Sequence, residues 1–296
     1  MRPRDLFLAA LVPTLWGLAF IAIKVGLETF TPAELVALRF LIAALPALFL
    51  ARPAIAWPVL FSIGLFLFSG QFLLLFFGIA WGMPTGLASV VAQTQAFFTV
   101  LFAALVLGEH PSLRQSFGML VALLGLVFMG FTVGGDFTAI GFAFTLAGAV
   151  SWAIGNVLVK RQGKVDMLAL MAWASLVPVA LATALSLSVD GAASFPERLL
   201  RLTWPGFAAV LYLGVLATVL TYVVWAGLLS RYSAATVAPF TLFIPFVGAL
   251  SSWLVFGERF GPLRLAGMAL VIAGVAVVVA PVDRLWAAIR PRPRPG

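Results

Sequence analysis

A single arginine lies inside an apolar stretch of this sequence. Arg39 follows the start of that stretch, near residue 33, by six positions, which is ~9 Å along a helix. A guanidinium at that depth in a membrane is costly unless it is paired, reaches the interface or faces a wet cavity. Because its planar fork suits a carboxylate, Arg39 is a candidate anchor for the acidic end of a substrate. The alternatives are a structural pair with Glu34 or Glu28, or contact with backbone carbonyls.

Other polar and aromatic side chains lie within apolar runs and are candidates to complete the same site. An amide without partners in hydrocarbon costs roughly 4 to 8 kcal/mol, so each must face protein or water. We expect one of the two rows containing Gln93 and Gln95 to face a cavity, and the other to bond between helices. Tryptophan faces attract ammonium groups. The candidate substrate contacts are Arg39, Gln71, Gln93, Gln95, Asn156, Trp16, Trp152 and Tyr222.

Groups that support catalysis or proton coupling are missing from the middle of the apolar runs. The chain has no Cys and one His, His110, which leaves no thiol nucleophile and no cluster of metal ligands. The ten acidic residues lie at or near predicted helix ends, whereas proton-coupled carriers place an ionisable group near the substrate. No phosphate-binding loop of the form GxxxxGK[ST] is present. We therefore expect no catalytic residue, no metal and no cofactor.

The composition indicates that helices in lipid position these residues. Of the 296 residues, 63% are apolar and 9% charged, against roughly a quarter charged in soluble domains. At ~20 apolar residues per span, the length fits about ten transmembrane helices. Unbroken apolar runs argue against the alternating pattern of a β-barrel. The fold class is an all-α polytopic membrane protein with spans near 6–27, 33–50, 57–81, 85–107, 113–131, 138–159, 167–188, 205–229, 234–256 and 262–281.

The eighteen basic residues are scattered singly, so they form no stripe for nucleic acid, which we exclude as a partner. On ten spans, twelve basic residues fall on the side of the N-terminus and five on the other. The positive-inside rule then places both termini in the cytoplasm, with a basic tail at 282–296. Lys24 and Lys160 lie at opposite mouths and are candidate gate residues. Snorkelling to the interface is the alternative.

The chain contains an internal repeat with an odd number of spans in each copy. A shift of 149 positions overlays Gly108-Glu109 on Gly257-Glu258, Gly118 on Gly267 and Gly125 on Gly274, and a shift of 136 overlays Trp16 on Trp152 and Lys24 on Lys160. The difference predicts a longer loop in the second copy, near 190–204. Two five-helix copies, 6–131 and 138–281, must have opposite orientations. Inverted pairs of this kind build secondary transporters that work by alternating access around a central site.

Several motifs resemble those of the EamA family in the drug/metabolite transporter superfamily, and most closely its O-acetylserine/cysteine exporters. They are Trp16-Gly17, Ile23-Lys24-Val25-Gly26-Leu27, Arg39-Phe40, Gly82-Met83-Pro84, Gly86-Leu87-Ala88-Ser89, Gln93, Gln95-Ala96-Phe97-Phe98-Thr99, Gly108-Glu109, Trp152-Ala153, Gly155-Asn156 and Ala238-Pro239. The resemblance implies two EamA repeats around a central cavity and an inner-membrane exporter of amino acids or related metabolites, such as cysteine or O-acetylserine.

The resemblance leaves the substrate and the assembly open. Expected partners are a small zwitterionic substrate and the lipid bilayer, and a homodimer is one possible assembly. A broader carrier of sugars, nucleosides or amphipathic compounds is the first alternative, and it predicts that Arg39 lies in a structural pair. An intramembrane enzyme is a second alternative, disfavoured because no cluster of nucleophile, acid and base is present.

Overall fold

The computed structural model describes residues 1–134, 137–163 and 165–279, with the side chains of 234 and 235 left out. The helices, numbered in chain order, are α1 (Pro3–Leu27), α2 (Pro32–Ala44), α3 (Trp57–Ala80), α4 (Thr85–Leu107), α5 (Leu113–Gly130), α6 (Ala139–Arg161), α7 (Met167–Val189), α8 (Ser194–Leu200), α9 (Trp204–Arg231), α10 (Ala238–Phe256) and α11 (Pro262–Val279). A single helical turn at Ala234–Val237 precedes α10.

Nine of these helices in the described residues, all except α2 and α8, are long and apolar enough to cross a bilayer. The chain is therefore an α-helical, multi-pass membrane protein. The predicted basic tail at 282–296 and the last two residues of the predicted tenth span lie outside the described residues. Lys164, which contributed to the charge count, also lies outside them.

The predicted second span, 33–50, is shorter and less regular than expected. α2 begins with a capping box, in which Thr31 Oγ1 accepts from the backbone N–H of Glu34 and the Glu34 carboxylate accepts from that of Thr31. It ends at Ala44 and continues as a 3₁₀ turn, Leu45–Leu48. Pro46 lacks an N–H and cannot extend an α-helix from within, which explains why the regular helix stops there.

Two spans each contain a π-helical segment, Gly64–Gly70 in α3 and Tyr212–Leu220 in α9. In these segments the Ser69 hydroxyl donates to the carbonyl of Gly64 at 3.0 Å, and the Thr218 hydroxyl to that of Leu213 at 2.7 Å. The two hydroxyls lie 149 positions apart, which is the repeat shift. Each hydroxyl therefore donates to the carbonyl of the residue five positions earlier, which is the hydrogen-bond spacing of a π turn.

Carbonyls within both π segments also accept hydrogen bonds from the other half of the chain. Trp16 of α1 donates its indole N–H to the carbonyl of Ala217 at 3.2 Å. Ser151 of α6 donates its hydroxyl to the carbonyl of Phe66 at 2.7 Å. Each half of the chain is thus hydrogen-bonded to the π segment of the other.

Two further spans contain 3₁₀ turns, Ala92–Thr94 near the middle of α4 and Ala238–Leu242 at the start of α10. The second turn contains Pro239, and a proline of this kind can kink a helix. Under the 149-residue shift, the two turns overlap. Both spans are therefore wound more tightly, with fewer residues per turn, at the level of the cavity described below.

Glycines bring α5 and α11 into close contact. A Cβ built on Gly118 would lie 2.7 Å from the carbonyl oxygen of Gly274, and one built on Gly125 would lie 2.6 Å from that of Gly267. The repeat shift converts the first contact into the second with the two helices exchanged. Small residues allow helix backbones to approach in this way.

The predicted loop at 190–204 contains a short helix, α8 (Ser194–Leu200), which the sequence analysis did not anticipate. α8 is fixed to the start of α2, because Arg198 Nε lies 3.2 Å from Glu34 Oε2 and Ser194 donates to Glu34 Oε1 at 2.9 Å. The longer loop of the second half thus binds the carboxylate of Glu34, which was a candidate partner of Arg39.

Candidate functional site

A cavity of about 240 Å³ lies near the middle of the bundle, between α1, α2, α3, α4, α6, α9 and α10. We call it the first cavity. Of the eight predicted substrate contacts it brings together seven, namely Trp16, Arg39, Gln71, Gln93, Gln95, Trp152 and Tyr222. The rest of its wall is made by Ala19, Phe20, Ile23, Phe72, Leu75, Ala92, Trp225, Thr241 and Ile244. Both halves of the chain contribute to this wall.

Arg39 is the charged side chain of the first cavity. It is 3% exposed, and its Nε donates to Thr218 Oγ1 at 3.0 Å. Its guanidinium carbon lies 4.1 Å above the ring of Phe72, a cation–π contact. Among the described residues no carboxylate forms an ion pair with Arg39, since Glu34 is bound to Arg198. The cation is therefore held by one neutral hydrogen bond and an aromatic face, and it keeps its affinity for an anion.

Gln71 contributes an acceptor that the protein does not satisfy. The residue is 6% exposed, and its Oε1 is the buried side-chain polar atom without a hydrogen-bond partner among the described residues. An unsatisfied buried acceptor costs about 1–3 kcal/mol. A donor on a bound ligand would remove that cost. The first cavity thus places an uncompensated cation and an uncompensated acceptor in the same wall.

The expectation that only one of the rows containing Gln93 and Gln95 faces the cavity is wrong. Both residues line the first cavity. The 3₁₀ turn Ala92–Thr94 lies between the two regular parts of α4, and 3₁₀ winding advances ~120° per residue instead of ~100°. Two residues then differ by ~120° in direction instead of ~160°, which brings both amides toward one side.

Four aromatic residues form a layer across the bundle, which we call the aromatic layer: Trp16, Trp152, Tyr222 and Trp225. Trp16 is fixed by its bonds to the carbonyl of Ala217 and to Thr221 Oγ1, the latter at 3.1 Å. Its ring centroid lies 5.3 Å from that of Trp225 and 6.5 Å from that of Tyr222. Trp152 instead packs against Phe68 and Phe72.

Asn156, the eighth predicted contact, does not line the first cavity. It lies one turn beyond Trp152 on α6 and lines a second cavity of about 170 Å³ on the other side of the aromatic layer. Its Nδ2 donates to Thr99 Oγ1 at 3.2 Å. The aromatic layer separates this second cavity from Arg39, so Asn156 cannot contact the same small ligand as the guanidinium.

The two candidate gate residues each have an acidic partner at opposite ends of the bundle. Lys24 Nζ lies 3.6 Å from Glu258 Oε1 and 4.1 Å above the ring of Phe256. Lys160 Nζ lies 2.6 Å from Glu109 Oε1. We call these ends the Lys24 end and the Lys160 end. The pairing of the glutamates with the lysines was not predicted from the sequence. The two repeat shifts taken together relate one pair to the other, because Lys24 corresponds to Lys160 and Glu258 to Glu109.

The sequence analysis also missed Thr218, Thr241 and Ala92 as residues at the site. Thr218 could have been recognised from the sequence, since its repeat equivalent Ser69 also carries a hydroxyl within an apolar run. The other two are small residues among many. In the described part of the chain, no group of three or more His, Cys, Asp or Glu side chains is arranged to hold a metal ion.

Comparison with known proteins identifies the family. Residues 4–131 and 139–280 match the EamA-like transporter family. This chain belongs to that family. A solved protein structure has a similar fold, with a TM-score of 0.64 at 21% sequence identity, covering 96% of this chain and 99% of the other.

Several curated relatives carry transporter names. The chain is 40% identical to a probable amino-acid metabolite efflux pump of Salmonella typhimurium and 38% identical to one of Escherichia coli, covering 94% of this chain and 96% of the relative in both cases. It is 29% identical to a probable terminal-alkyne amino-acid exporter of Streptantibioticus cattleyicolor, covering 89% of each chain. The chain is thus similar to membrane transporters along most of its length, which supports a small-metabolite exporter.

Proposed function

We propose that this protein exports small zwitterionic amino-acid metabolites, such as cysteine or O-acetylserine, across a bacterial inner membrane by alternating access. The observation that carries the proposal is Arg39, a buried guanidinium at the wall of a small cavity that has no counter-ion among the described residues. A substrate carboxylate would supply the missing charge. The names of the relatives support amino-acid metabolites as the substrate class.

The remaining cavity residues suit the other end of a zwitterion. An ammonium group would donate to Gln71 Oε1, which lacks a partner, and would lie against the aromatic faces of Trp16 and Trp152. Gln93 and Gln95 would then orient the substrate by further hydrogen bonds. A volume of about 240 Å³ accommodates a small metabolite. The transporter class of the relatives also argues against an intramembrane enzyme.

We further propose ten spans arranged as two inverted repeats, with α2 and its 3₁₀ turn as the tenth crossing. The matched π segments and the reciprocal glycine contacts of α5 and α11 support this arrangement. In it, both termini and the Lys160 end lie in the cytoplasm, and the Lys24 end faces the periplasm. The first cavity then lies where inverted-repeat transporters bind their substrates.

The proposal is tested by conservative replacement of the arginine. Inside-out vesicles containing Arg39→Lys should take up labelled O-acetylserine or cysteine at limiting concentration at least about tenfold more slowly than the parent, because lysine cannot form the bidentate contact. The matched control is Arg201→Lys, which changes an exposed arginine at the Lys24 end and should leave uptake unchanged.

Unchanged uptake by Arg39→Lys at both limiting and saturating substrate would refute the carboxylate anchor. Equal transport of a sugar or nucleoside by the parent and by Arg39→Lys would instead favour the broader carrier. Protein amount in the vesicles, measured by immunoblot, separates a transport defect from poor insertion.

A further inference from the structure

The carboxylate of Glu258 joins three parts of the molecule at the Lys24 end. Oε1 accepts from the backbone N–H of Thr85 at 2.9 Å and from its hydroxyl at 2.8 Å, while Oε2 accepts from the N–H of Gly86 at 2.9 Å. Lys24 of α1 lies 3.6 Å from the same carboxylate, whose side chain is 9% exposed. A negative charge at the start of a long helix such as α4 is also favoured by the helix dipole.

The helices that Glu258 connects are in close contact at this end. Residues 85–94 of α4 are all buried. The hydroxyls of Thr85 and Ser252 lie 2.9 Å apart, and Ser89 occupies the space beside Gly248, where a Cβ would otherwise be. The first half of α4 and the second half of α10 therefore form a closed contact at the Lys24 end.

The same helices are less tightly packed toward the Lys160 end. Residues 95–102 of α4 are only half-buried. The side chains of Glu109 and Lys160 are 47% and 52% exposed, and they bind each other at 2.6 Å. In the described part of the chain, the Glu109 carboxylate accepts no hydrogen bond from a backbone N–H. Glu109 is therefore free of the helix contacts that occupy Glu258.

The residues at the two ends are equivalent under the repeat. The 149-residue shift relates Glu109 to Glu258 and Thr85-Gly86 to residues 234–235, and the 136-residue shift relates Lys24 to Lys160. Gly108 and Gly257 end the two spans with left-handed φ values of 68° and 65°, a geometry that favours glycine. The following glutamates thus start from the same backbone geometry. At the Lys24 end the glutamate binds the backbone N–H groups at the start of a helix. At the Lys160 end the equivalent glutamate and the equivalent backbone groups are apart.

We propose that Glu258 and Glu109 are alternating latches of the transport cycle. Glu258 holds the Lys24 end closed in the conformation described here by binding the start of α4. In the opposite conformation Glu258 is released, and Glu109 binds the backbone N–H groups at residues 234 and 235 to close the Lys160 end. The 3₁₀ turns, which lie between the buried and half-buried halves of α4 and at the start of α10, are the points at which these spans bend. The inference rests on the alternating access proposed above and adds the acidic residues that control it.

The latches can be tested by measuring access to the Lys24 end. The chain contains no cysteine, so a single Ala88→Cys substitution at the buried face of α4 provides a unique reporter, with Ala249→Cys on α10 as an independent second one. The rate of labelling by a membrane-impermeant maleimide, added from the side of the Lys24 end, reports the population that is open there. The measurement needs no substrate.

We expect opposite effects from the two glutamates. Glu258→Gln should raise the labelling rate roughly tenfold, because a charge-assisted contact that closes this end is lost. Glu109→Gln should lower the rate by a similar factor, since it weakens the opposite conformation. The double variant should return close to the parent, a result that general structural damage would not produce. Glu197→Gln, an exposed carboxylate on α8, is the matched control and should have no effect.

Shifts in the same direction, or no shift from either glutamate, would overturn the latch proposal. Failure of the protein to export amino-acid metabolites would refute the proposed substrate and leave the labelling result intact. The two proposals therefore fail in separate experiments.

Discussion

At the residue scale, the chemistry of the first cavity depends on a cation whose neighbours are all neutral. Thr218 is the sole hydrogen-bond acceptor that Arg39 finds among the described residues, and it bonds only Nε. The terminal nitrogens of the guanidinium are left for a ligand. Thr218 is itself held by the carbonyl of Leu213. Its role is to orient the guanidinium, which makes it a positioning residue in the proposed mechanism.

Thr218→Val tests this positioning role, because valine keeps the shape of threonine and removes the hydroxyl. We expect the KM for O-acetylserine uptake to rise about tenfold or more with little change in the maximal rate, since about 1.5–3 kcal/mol is typical of a hydrogen bond to a charged group. The control is Ser69→Ala, which removes the repeat-equivalent hydroxyl that contacts Gly64 and no arginine. An equal KM increase in both variants would contradict the assignment.

The sequence could predict the residues of the cavity but not their partners. Arg39 and the amides were recognisable because polar groups in apolar runs must face protein or water. The binding of Glu34 to α8, which removes the expected counter-ion of Arg39, depends on a loop whose fold leaves no such pattern. Asn156 was misplaced for a related reason. One helical turn is enough to put it on the other side of the aromatic layer, and depth along a helix is known from sequence only to within several residues.

At the scale of elements, the irregular segments are the features that the sequence did not show. A π segment or a 3₁₀ turn changes the hydrogen-bond spacing by one residue and leaves the composition apolar. Gly64–Gly70 and Tyr212–Leu220 therefore read as ordinary parts of long helices. The effect on side-chain direction is large, as Gln93 and Gln95 show. Helix contacts were more predictable, because small residues on α5 and α11 recur at equivalent positions.

Gly125→Ala tests the contact between α5 and α11. The added Cβ would lie 2.6 Å from the Gly267 carbonyl and 2.7 Å from the backbone nitrogen of Val271, so the helices must separate. We expect a loss of about 1–3 kcal/mol of stability, seen as a lower Tm of the purified protein in detergent. Gly130→Ala, at the end of α5 where nothing lies within 4 Å of the added carbon, should leave the Tm unchanged or slightly higher. A Tm for Gly125→Ala equal to that of Gly130→Ala would rule out close packing there.

At the scale of the whole molecule, the arrangement of the chain in the bilayer depends on α2. The nine long helices alone would place the two ends of the described chain on opposite sides. In the ten-span arrangement α2 and its 3₁₀ turn also cross the bilayer, so the number of crossings is even. That arrangement agrees with the distribution of basic residues. Sequence analysis located the long spans well, because each is bounded by Gly, Pro or charge. It could not show that Pro46 shortens the second one.

Topology is measurable with reporter fusions. Alkaline phosphatase joined after Gly191 should be active, because the ten-span arrangement places that loop in the periplasm. The same enzyme joined after His110, or after Gly296, should be inactive, since the ten-span arrangement places both positions in the cytoplasm. A fluorescent protein at each of these three sites serves as the reciprocal control. Activity after His110 together with inactivity after Gly191 would show that α2 does not cross.

The cross-bonding of the π segments has a consequence for assembly. Each half of the chain offers a backbone carbonyl, at Phe66 or Ala217, that is matched by a donor in the other half. In lipid the indole N–H of Trp16 and the hydroxyl of Ser151 have no water to replace these acceptors, so each half needs the other to complete its hydrogen bonding. The halves are therefore not two domains that dock after folding but interdependent parts of one folding unit. The covalent link between them matters less than their being present together in the same bilayer.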